Sequence, residues 1–493
     1  MSYLLGYDLG SSSIKAALID AQTQETLAIV QSPETEMEIA APQADWAEQD
    51  PEIWWQHICK ATQKILAQTS VNAKEIKGIG ISYQMHGLVL IDENQEVIRP
   101  SIIWCDSRAV EIGNRAFEEI GQEKSLTHLL NSPGNFTASK LKWVKENEPE
   151  IYAKIHKIML PGDYIAMRLT GQINTTPSGL SEGILWDFQE EKVADLVLEH
   201  YGFNAELIPN ITPTFSLQGH LDKVVAKATG LVEGIPVAYR AGDQPNNALS
   251  LNVLQSGEIA ATGGTSGVVY GVVDKVVYDA QSRVNGFAHV NHSKNAPRIG
   301  ILLCINGAGI QYNWMRQNAA KGLSYIEMNK LAASVPIGAD GLQILPFGNG
   351  AERMLCNENI GARIQNLNFN RHTQAHLCRA SLEGIAFSFV YGVHILKAMG
   401  LEVSIMRVGN DNLFRSEIFA QTIANLLQCK IELVKATGAV GAAKAAGVAT
   451  GIYASVEEAM QQVEVLKVYE MEERTNDYKA AFENWSKALE AAL

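Results

Sequence analysis

The amino-acid sequence predicts an α/β protein made of two similar halves with a cleft between them. The chain has 493 residues, which is too long for one ordinary core, so two domains are the default expectation. Segments with strand-like alternation and segments with helical spacing follow one another along the chain, as in α/β proteins. Two strand–turn–strand segments with small-residue turns, Tyr3–Asp20 and Gly257–Val273, each open one half.

The composition is that of an acidic globular protein. Apolar residues make up 46% of the chain and charged residues 19%, which is ordinary for a soluble globular domain. The formal net charge is −14, so the chain is a poor general ligand for nucleic acid or an anionic membrane. We therefore expect no nucleic-acid partner and no membrane partner. A phosphorylated ligand would have to be bound locally, by backbone N–H groups, a few cations or a metal.

The cysteine pattern and the chain start both favour a cytoplasmic protein. The six cysteines are scattered and form no C-x-x-C pair, which is typical of reduced thiols in a cytosolic protein. The first residues lack a basic region followed by an apolar run, so no secretory signal is expected. The most apolar stretches, such as GVVYGVV, are too short and too rich in glycine to span a bilayer.

The first half begins with the strand–turn–strand of Tyr3–Asp20. The next element, Pro51–Thr69, has apolar residues at helical spacing and a proline suited to the first helical position. Ile76–Asp92 has the pattern of two further strands around a turn. A long region of helices and loops follows, over residues 109–210.

The second half restarts near Ser256 with the hairpin Gly257–Val273. A long helix is predicted over His372–Gly400, then a strand that runs into VGNDN (Val408–Asn412), and then a small-residue helix within Thr437–Gly451. The tail, 456–493, has the pattern of an amphipathic helix. We place the domain boundary within Tyr239–Gln255, which contains AGDQPNN. This gives an N-terminal domain 1–245 and a C-terminal domain 246–493 and puts an acid in the crevice between them.

The turn of the first hairpin is a candidate phosphate loop. Successive N–H groups in a Gly/Ser turn can form an anion-binding concavity, and Lys15 on the return strand adds a positive charge. Asp8, just before the turn, would repel a phosphate unless a divalent cation lay between them, so we assign Asp8 to Mg²⁺, held through water. The alternative is a surface hairpin in which Asp8 caps its own turn. The turn residues of this candidate loop are Gly10, Ser11, Ser12 and Ser13.

The turn of the second hairpin strengthens the phosphate interpretation. TGGTSG offers the same small residues without an acid: Gly264 lets the backbone approach a ligand, and Thr265 can donate a hydroxyl. Two such turns from two halves could grip one triphosphate across a cleft. One glycine-rich turn is weak support, whereas the pair is stronger.

VGNDN follows a predicted strand and precedes a predicted helix. Ligands of open α/β sheets bind beyond the carboxyl ends of strands, so Gly409, Asn410 and Asn412 are candidates for contacts to a ribose or adenine. The alternative is an ordinary strand-to-helix turn with Asp and Asn as caps. Gly438 and Gly441 could likewise bring a helix close to a partner element or to the nucleotide.

The reacting side of the site is expected in three short motifs. QMHG contains Met85 and His86, WCDSR contains Trp104, and GDQ contains Asp243 and Gln244. A polyol site needs hydrogen-bonding groups, an apolar wall and a base near the attacked hydroxyl. The polar members would supply the contacts and Asp243 the base, with Met85 and Trp104 as the wall.

Purely structural interpretations compete with some of these assignments. A single histidine such as His86 is more often a hydrogen-bonded core or turn residue, and we favour a structural ion pair for Asp106 and Arg108. HTQAH (His372–His376) has the histidine spacing of a zinc site but lacks the glutamate of the zincin motif, so we expect a helix face. The chain contains no Walker loop and no protein-kinase motif set.

These motifs together resemble those of one family. YDLGSSSIK, TGGTSG and VGNDN, in that order, resemble the phosphate and adenosine motifs of the sugar kinase, actin and heat-shock chaperone superfamily. Within it, QMHG, WCDSR, LPGDYIAMRLTG and GDQ are similar to motifs of the FGGY carbohydrate kinases. The resemblance runs from Tyr3 to about Gly451, and QMHG is similar to the xylulokinase branch. It implies two ribonuclease-H-like (actin-like ATPase) domains, each a mixed sheet flanked by helices, with the active site in the central cleft.

The resemblance also implies a role for each motif. Asp8 matches the metal-associated acid and Asp243 the general base. The sugar-contacting positions match Met85, His86, Asp243 and Gln244, although the xylulose branch often has Asn where Gln244 stands. Gly264 and Thr265 match contacts to the terminal phosphates, and Gly409 with Asn412 match contacts to the adenosine.

The implied activity is ATP-dependent phosphorylation of a ketopentose, with D-xylulose at its 5-hydroxyl as the main hypothesis and ATP and Mg²⁺ as cofactors. Ribulose, another pentulose, gluconate and glycerol remain open as substrates. An ATP-switched binding protein like actin or a chaperone is the alternative from another class, but such a switch needs no polyol site. An inactive sugar-binding relative is disfavoured by the intact Asp8 and Asp243. The expected partners are a small sugar and ATP, with a homodimer as the candidate assembly.

Overall fold

The computed structural model describes residues 1–410 and 412–493, with the side chain of Asn412 outside the description. Within these ranges the chain forms strands and helices in alternation, as the sequence predicts. The strands are β1 (Tyr3–Leu9), β2 (Ile14–Asp20), β3 (Thr26–Ser32), β4 (Glu48–Gln49), β5 (Ile76–Tyr83), β6 (Val89–Ile91), β7 (Ser101–Ile102), β8 (Lys157–Met159), β9 (Asn174–Thr175), β10 (Trp186–Asp187), β11 (Lys192–Val193), β12 (Asn210–Ile211), β13 (Phe215–His220), β14 (Pro236–Gly242), β15 (Glu258–Gly263), β16 (Gly267–Val273), β17 (Asn285–Ala288), β18 (Ile299–Ile305), β19 (Gln343–Leu345), β20 (Arg363–Gln365), β21 (Ile405–Gly409), β22 (Lys430–Lys435) and β23 (Glu464–Tyr469).

In the described part of the chain the longest α-helix, Gln374–Ala398, lies in the second half and the shortest, Pro149–Tyr152, in the first. The α-helices are α1 (Pro51–Thr69), α2 (Val110–Ile120), α3 (Gln122–Leu129), α4 (Thr137–Asn147), α5 (Pro149–Tyr152), α6 (Pro161–Thr170), α7 (Pro177–Glu182), α8 (Asp195–Tyr201), α9 (Lys223–Thr229), α10 (Asp243–Ser250), α11 (Gly309–Asn318), α12 (Tyr325–Ala333), α13 (Gln374–Ala398), α14 (Glu417–Leu427), α15 (Gly438–Ala449), α16 (Val456–Met460) and α17 (Thr475–Glu490). Single 3₁₀ turns are formed by Ala73–Glu75, Ala205–Leu207, Ala339–Gly341, Arg353–Leu355 and Asn412–Arg415.

The first half is built on a six-stranded mixed sheet. Its strand order is β13-β14-β5-β1-β2-β3, with β1, β5 and β14 parallel and the remaining pairs antiparallel. All residues of β1 except Asp8 are buried, as expected for a central strand that is covered on both faces. Helix α1 occupies the predicted Pro51–Thr69, and the carboxyl group of Asp50 caps it by accepting a hydrogen bond from the Glu52 N–H at 2.9 Å.

The second half repeats the same central topology. Its seven-stranded sheet has the order β17-β18-β16-β15-β21-β22-β23. The hairpin β15–β16 corresponds to β1–β2, and β21 and β22 lie parallel to β15 as β5 and β14 lie parallel to β1. The expectation that each half opens with a hairpin of the same kind is confirmed. The fold is therefore a two-domain α/β fold in which each domain has one mixed sheet.

Helix α15 lies in sequence between β22 and β23 of the second sheet but packs on the first sheet. A Cβ atom at Gly6 or at Gly80 would overlap main-chain atoms of α15, at Ala439 and Ala442 respectively. The helix backbone therefore lies directly on β1 and β5. Only glycine on the strands and small residues on the helix permit this approach, which explains the run of Ala and Gly that the sequence shows between 438 and 449.

The tail departs from its prediction. The sequence pattern indicated one amphipathic helix over 456–493, but only α16 and α17 are helical there. Between them Glu464–Tyr469 forms the edge strand β23, antiparallel to β22. Pairing with the sheet therefore overrides the helical pattern of this stretch. Within the described ranges, no helix combines the length and the apolar character that a bilayer crossing requires.

Candidate active site

The carboxyl ends of three parallel strands lie side by side at one edge of the first sheet. Leu9 of β1, Tyr83 of β5 and Gly242 of β14 are neighbours in register. The register brings Asp8, the Met85–His86 turn and Asp243 to this edge, although they are far apart in sequence. This is the edge at which ligands bind in open α/β sheets.

Asp8 lies between a hydroxyl, a cation and a helix start. Its Oδ1 accepts a hydrogen bond from Ser82 Oγ at 2.8 Å, and Lys15 lies opposite on β2. Helix α15 begins against the carboxyl group, because a Cβ at Gly438 would lie 2.8 Å from Asp8 Oδ2. Burial raises the pKa of Asp8, and Ser82 and Lys15 oppose the rise.

The donor chemistry at Asp8 fits a hydrated Mg²⁺. No described residue donates a hydrogen bond to Oδ2, so this oxygen is available to a ligand. A single carboxylate that leaves the ion most of its water is a usual arrangement for Mg²⁺ bound together with phosphates. The described residues contain no group of three or more potential metal ligands.

In the turn after β1, the carbonyl oxygens of the serines accept hydrogen bonds from the protein, whereas their N–H groups are available to a ligand. The carbonyl oxygen of Ser11 accepts from Gln49 Nε2 at 2.7 Å, that of Ser12 from the Met37 N–H at 2.7 Å, and that of Ser13 from the Gly10 N–H at 3.1 Å. Among the described residues, none accepts a hydrogen bond from the three serine N–H groups. Consecutive free N–H groups of this kind form an anion-binding concavity.

The turn after β15 repeats this arrangement. The carbonyl oxygens of Gly264 and Thr265 accept from the Gly309 and Ile310 N–H groups at the start of α11, at 3.0 and 2.9 Å. The N–H groups of Gly264 and Thr265 donate to no acceptor in the described part of the chain. The two turns that the sequence paired therefore have the same hydrogen-bond pattern as well as the same composition.

A pocket of about 820 Å³ adjoins the second turn. Gly264 and Thr265 line it, whereas Gly409 and Asn410 are absent from its lining and the side chain of Asn412 lies outside the described residues. The carbonyl oxygen of Asn410 instead accepts hydrogen bonds from Arg415, at 3.2 Å from Nε and 2.9 Å from Nη2. The remaining polar and aromatic lining comprises Tyr312, Asn313, Ser324, Tyr325, Asn329, Arg415 and Ser416.

Asp243 is the first residue of α10, directly after β14. Burial, followed by the charge of Asp8, raises the pKa of Asp243 to about 7, and hydrogen bonds from Gln244 oppose the rise. Its charge also raises the pKa of Glu182 and of the Cys304 thiol, for both of which burial is the largest cause. Because Cys304 lies on β18 of the second sheet, Asp243 is near residues of both halves.

Met85 and Trp104, which the sequence predicts as the apolar wall of a sugar site, differ in their surroundings. Met85 is 5% exposed and packs under the end of β14, since a Cβ at Gly242 would lie 2.6 Å from its Cγ. Trp104 is 53% exposed, and its Nε1–H donates to Ser11 Oγ at 3.3 Å. Trp104 therefore lies exposed beside the turn after β1.

His86 is held in a left-handed backbone conformation, with φ 63°. Its N–H donates to Glu182 Oε2 at 2.9 Å, and its carbonyl oxygen accepts from Lys140 Nζ at 2.8 Å. The ring packs edge-on against Phe136, with centroids 4.8 Å apart, and lies 5.6 Å from the ring of Phe287. Burial, with the charge of Lys140, lowers the pKa of His86 to about 3.

The structural reading of Asp106 and Arg108 is confirmed. Arg108 Nη2 lies 2.7 Å from Asp106 Oδ2, and both side chains are buried. Arg108 also pairs with Glu48 at 2.7 Å, and its guanidinium carbon lies 3.7 and 4.8 Å from the ring centroids of Trp46 and Trp143. This cluster fixes the loop that carries Trp104.

The histidines of HTQAH do not share the expected helix face, because His372 precedes Thr373, the cap of α13, and only His376 lies on the helix. His376 Nε2 lies 3.1 Å from Asp340 Oδ2, and its Nδ1 faces Thr373 at the start of α13. The pair is therefore part of a helix start.

Glu182 and Lys140 were missed by the sequence-based reasoning. The sequence offered one indication that Glu182 has a special role, since it is the only charged residue between Arg168 and Asp187. Lys140 carried none, because Lys142 and Lys145 follow it on the same helix. Their importance depends on contacts across 54 to 96 residues of chain.

Comparisons with known proteins agree with this architecture. Residues 3–250 match the N-terminal domain and residues 259–450 the C-terminal domain of the "FGGY family of carbohydrate kinases". The xylulose kinase of Bacillus subtilis (strain 168) is 29% identical over 98% of this chain and 96% of its own length. That of Escherichia coli (strain K12) is 29% identical over 93% and 92%. The crystal structure of xylulose kinase from Rhodospirillum rubrum superposes with a TM-score of 0.89 at 24% identity, covering 99% of this chain and 98% of its own, which shows the shared fold.

Proposed function

Because the chain belongs to the FGGY family of carbohydrate kinases, we propose that it transfers the γ-phosphate of ATP to the 5-hydroxyl of D-xylulose. The relatives named xylulose kinase cover nearly the full length of the chain, which favours this sugar over the others. Phosphoryl transfer is supported above all by the two turns. In each, the carbonyl oxygens accept hydrogen bonds from the protein, whereas the N–H groups donate to no described residue. Asp243 is near Asp8 of the first half and Cys304 of the second, which supports it as a base for a sugar hydroxyl bound between the halves.

In the proposed reaction Asp243 accepts the proton of the attacking hydroxyl. A base works best when its pKa lies near the working pH, and burial with the Asp8 charge brings the pKa of Asp243 to about 7. An unperturbed aspartate would be a much weaker base. The raised pKa therefore supports Asp243 as the residue that deprotonates the sugar.

The rest of the machinery stabilises charge on the transferred group. Phosphoryl transfer depends mainly on positioning and on neutralising the charge of the phosphoryl oxygens. The N–H groups of Ser11 to Ser13 and of Gly264 and Thr265 would donate to those oxygens, and Lys15 adds a positive charge. Asp8 would hold Mg²⁺, which supplies further positive charge to the phosphates when it is bound.

The nucleotide is assigned to the pocket of about 820 Å³ beside the second turn. Tyr325 offers an aromatic face there, and Tyr325 OH donates to Asn313 Oδ1 at 3.1 Å. The adenosine contacts assigned to Gly409, Asn410 and Asn412 stay a prediction. The sugar is assigned to the edge formed by Met85, His86 and Gln244, with Trp104 as the outer wall.

Three further expectations accompany the proposal. The domains are taken as 1–245 and 246–493, a boundary that lies close to the end of the first family match at residue 250. A cytoplasmic location and a homodimer remain expectations from the sequence.

The test is ADP release with ATP and Mg²⁺, measured with and without D-xylulose. Strong stimulation by D-xylulose supports the proposal, and a panel of D-ribulose, other pentuloses, gluconate and glycerol compared by kcat/KM identifies another sugar if D-xylulose fails. Asp243→Asn should bind ATP and lose at least about a hundredfold in turnover. Asp195→Asn, at an exposed site on α8, is the matched control. Sugar-independent ATP hydrolysis would favour the ATP-switched alternative.

A further inference from the structure

The conformation of His86 needs support from outside its own turn. A residue other than glycine with φ near +60° is uncommon, and such a conformation persists where surrounding contacts hold it. Gly87 follows, and a Cβ there would lie 2.6 Å from Pro161 Cγ, so this side of the turn is closely packed. The direction of the imidazole ring therefore depends on what holds the His86 peptide groups.

Two buried side chains hold the His86 backbone from opposite sides. Glu182 Oε2 accepts from the His86 N–H, and Lys140 Nζ donates to the His86 carbonyl oxygen. Glu182 is 1% exposed and Lys140 is fully buried. Lys140 Nζ also donates to the Ile103 carbonyl oxygen at 2.9 Å, directly before Trp104. Lys140 Nζ thus connects the histidine turn to the loop that carries Trp104.

The ring of His86 has a defined proton position. Its Nδ1 lies 2.9 Å from the carbonyl oxygen of Glu182, which can only accept a hydrogen bond. Nδ1 therefore carries the proton. No described residue engages Nε2, and the side chain is 20% exposed. Because burial lowers the pKa of His86 to about 3, the ring is neutral at physiological pH and Nε2 is a hydrogen-bond acceptor.

We propose that Glu182 and Lys140 are positioning residues of the sugar site, which fix His86 so that its Nε2 accepts a hydrogen bond from a hydroxyl of the sugar. The group of the substrate that faces His86 is then a hydroxyl, because a ketone oxygen has no proton to donate. The identification of the ligand as a sugar rests on the proposed function, whereas the proton position of His86 does not.

The first experiment reads the ring directly in the full-length protein. In a ¹⁵N-histidine-labelled sample, the His86 signal is assigned by its loss in His86→Gln, and its tautomer is followed from pH 5.5 to pH 8. The expected result is a proton on Nδ1 with no titration in this range. A proton on Nε2, or titration near pH 6.5, overturns the proposal whether or not any sugar is phosphorylated.

The second experiment tests the two positioning residues by kinetics. In Lys140→Met and Glu182→Leu, KM for the sugar should rise at least about tenfold, with KM for ATP and sugar-independent ATP hydrolysis changed less than about twofold. Glu182→Gln keeps an oxygen that can accept from the His86 N–H, so it should restore most of the loss. Lys142→Met, two residues further along α4 and partly exposed, is the matched control and should behave like the unmodified protein.

The outcomes separate the two proposals. Unchanged sugar KM in folded Lys140→Met and Glu182→Leu would overturn the positioning role. Equal loss of sugar and ATP affinity would also overturn it, because general unfolding and not positioning would then be the cause. If no sugar stimulates the unmodified protein, the proposed function fails, and the tautomer measurement still decides whether Nδ1 of His86 carries the proton.

Discussion

Asn131 and Gly286 exchange two hydrogen bonds between the halves of the molecule. Asn131 Nδ2 donates to the Gly286 carbonyl oxygen at 2.7 Å, and Asn131 Oδ1 accepts from the Gly286 N–H at 3.2 Å. Gly286 lies on β17, the edge strand of the second sheet, and its neighbour Ala288 is bound in the same way by Ser178 and Ser181. Side chains of the first half thus satisfy the outer edge of the second sheet, and Phe287 between them reaches His86.

Asn131→Ala should lower the stability of the protein. Asn131 is fully buried, so its removal leaves two main-chain groups of Gly286 without partners, at a cost of about 1–3 kcal/mol each. We expect a midpoint of thermal unfolding lower by several degrees. Asn147→Ala, at an exposed residue that bonds only within its own helix, is the control and should shift the midpoint little. Equal midpoints for the two variants would show that the two hydrogen bonds between Asn131 and Gly286 contribute nothing to stability.

Gly80→Ala should destabilise the contact between β5 and α15. The added methyl group overlaps the Ala442 carbonyl, and rigid main chain on both sides cannot move aside cheaply. Overpacking of this kind costs about 1–3 kcal/mol or more. Denaturant unfolding measures the loss. Gly183→Ala is the comparison, because a Cβ there makes only ordinary contacts at 3.5 Å and the backbone is α-helical. A loss for Gly183→Ala as large as that for Gly80→Ala would contradict the prediction.

The rate of phosphorylation should fall on the acid side of pH 7. Asp243 acts as a base only when ionised, and its pKa is raised to about 7, so each unit of pH further below 7 removes about tenfold of the active form. Asp8, Glu182 and Cys304 are the other titratable groups near it. The measurement is kcat/KM for the sugar from pH 5 to pH 8. A flat profile down to pH 5 would remove Asp243 from the role of base.

Variants of the pocket beside the second turn should affect ATP alone. Tyr325 stacks on Tyr312 with ring centroids 5.6 Å apart, and its hydroxyl donates to Asn313. Tyr325→Ala and Asn313→Ala should each raise KM for ATP about tenfold without changing KM for the sugar. Trp314→Ala, at the next residue of α11 and 53% exposed outside the pocket lining, is the control. A rise in KM for the sugar and none for ATP would exclude this pocket as the nucleotide site.

Local patterns sufficed for α1, for the two hairpins and for naming candidate site residues at the strand ends. Helix α1 begins and ends at the predicted residues, because its capping acid, its proline and its apolar spacing are all contained within 20 residues. The patterns that predict the two hairpins are likewise contained in short segments. Asp8, His86 and Asp243 could be named because each lies in a short motif at a strand end, and the carboxyl ends of parallel strands meet in this kind of fold.

The tertiary structure decided what depends on contacts between distant residues. The tail stretch Glu464–Tyr469 has a helical pattern by itself and becomes a strand because β22 offers it an open edge. The roles of Glu182 and Lys140 arise from hydrogen bonds to His86 across 96 and 54 residues, which no local spacing encodes. The sequence by itself determined the fold class, the paired turns and the residues at the strand ends. Only the tertiary structure decided which buried side chains hold them, because burial and proximity are properties of the packed chain.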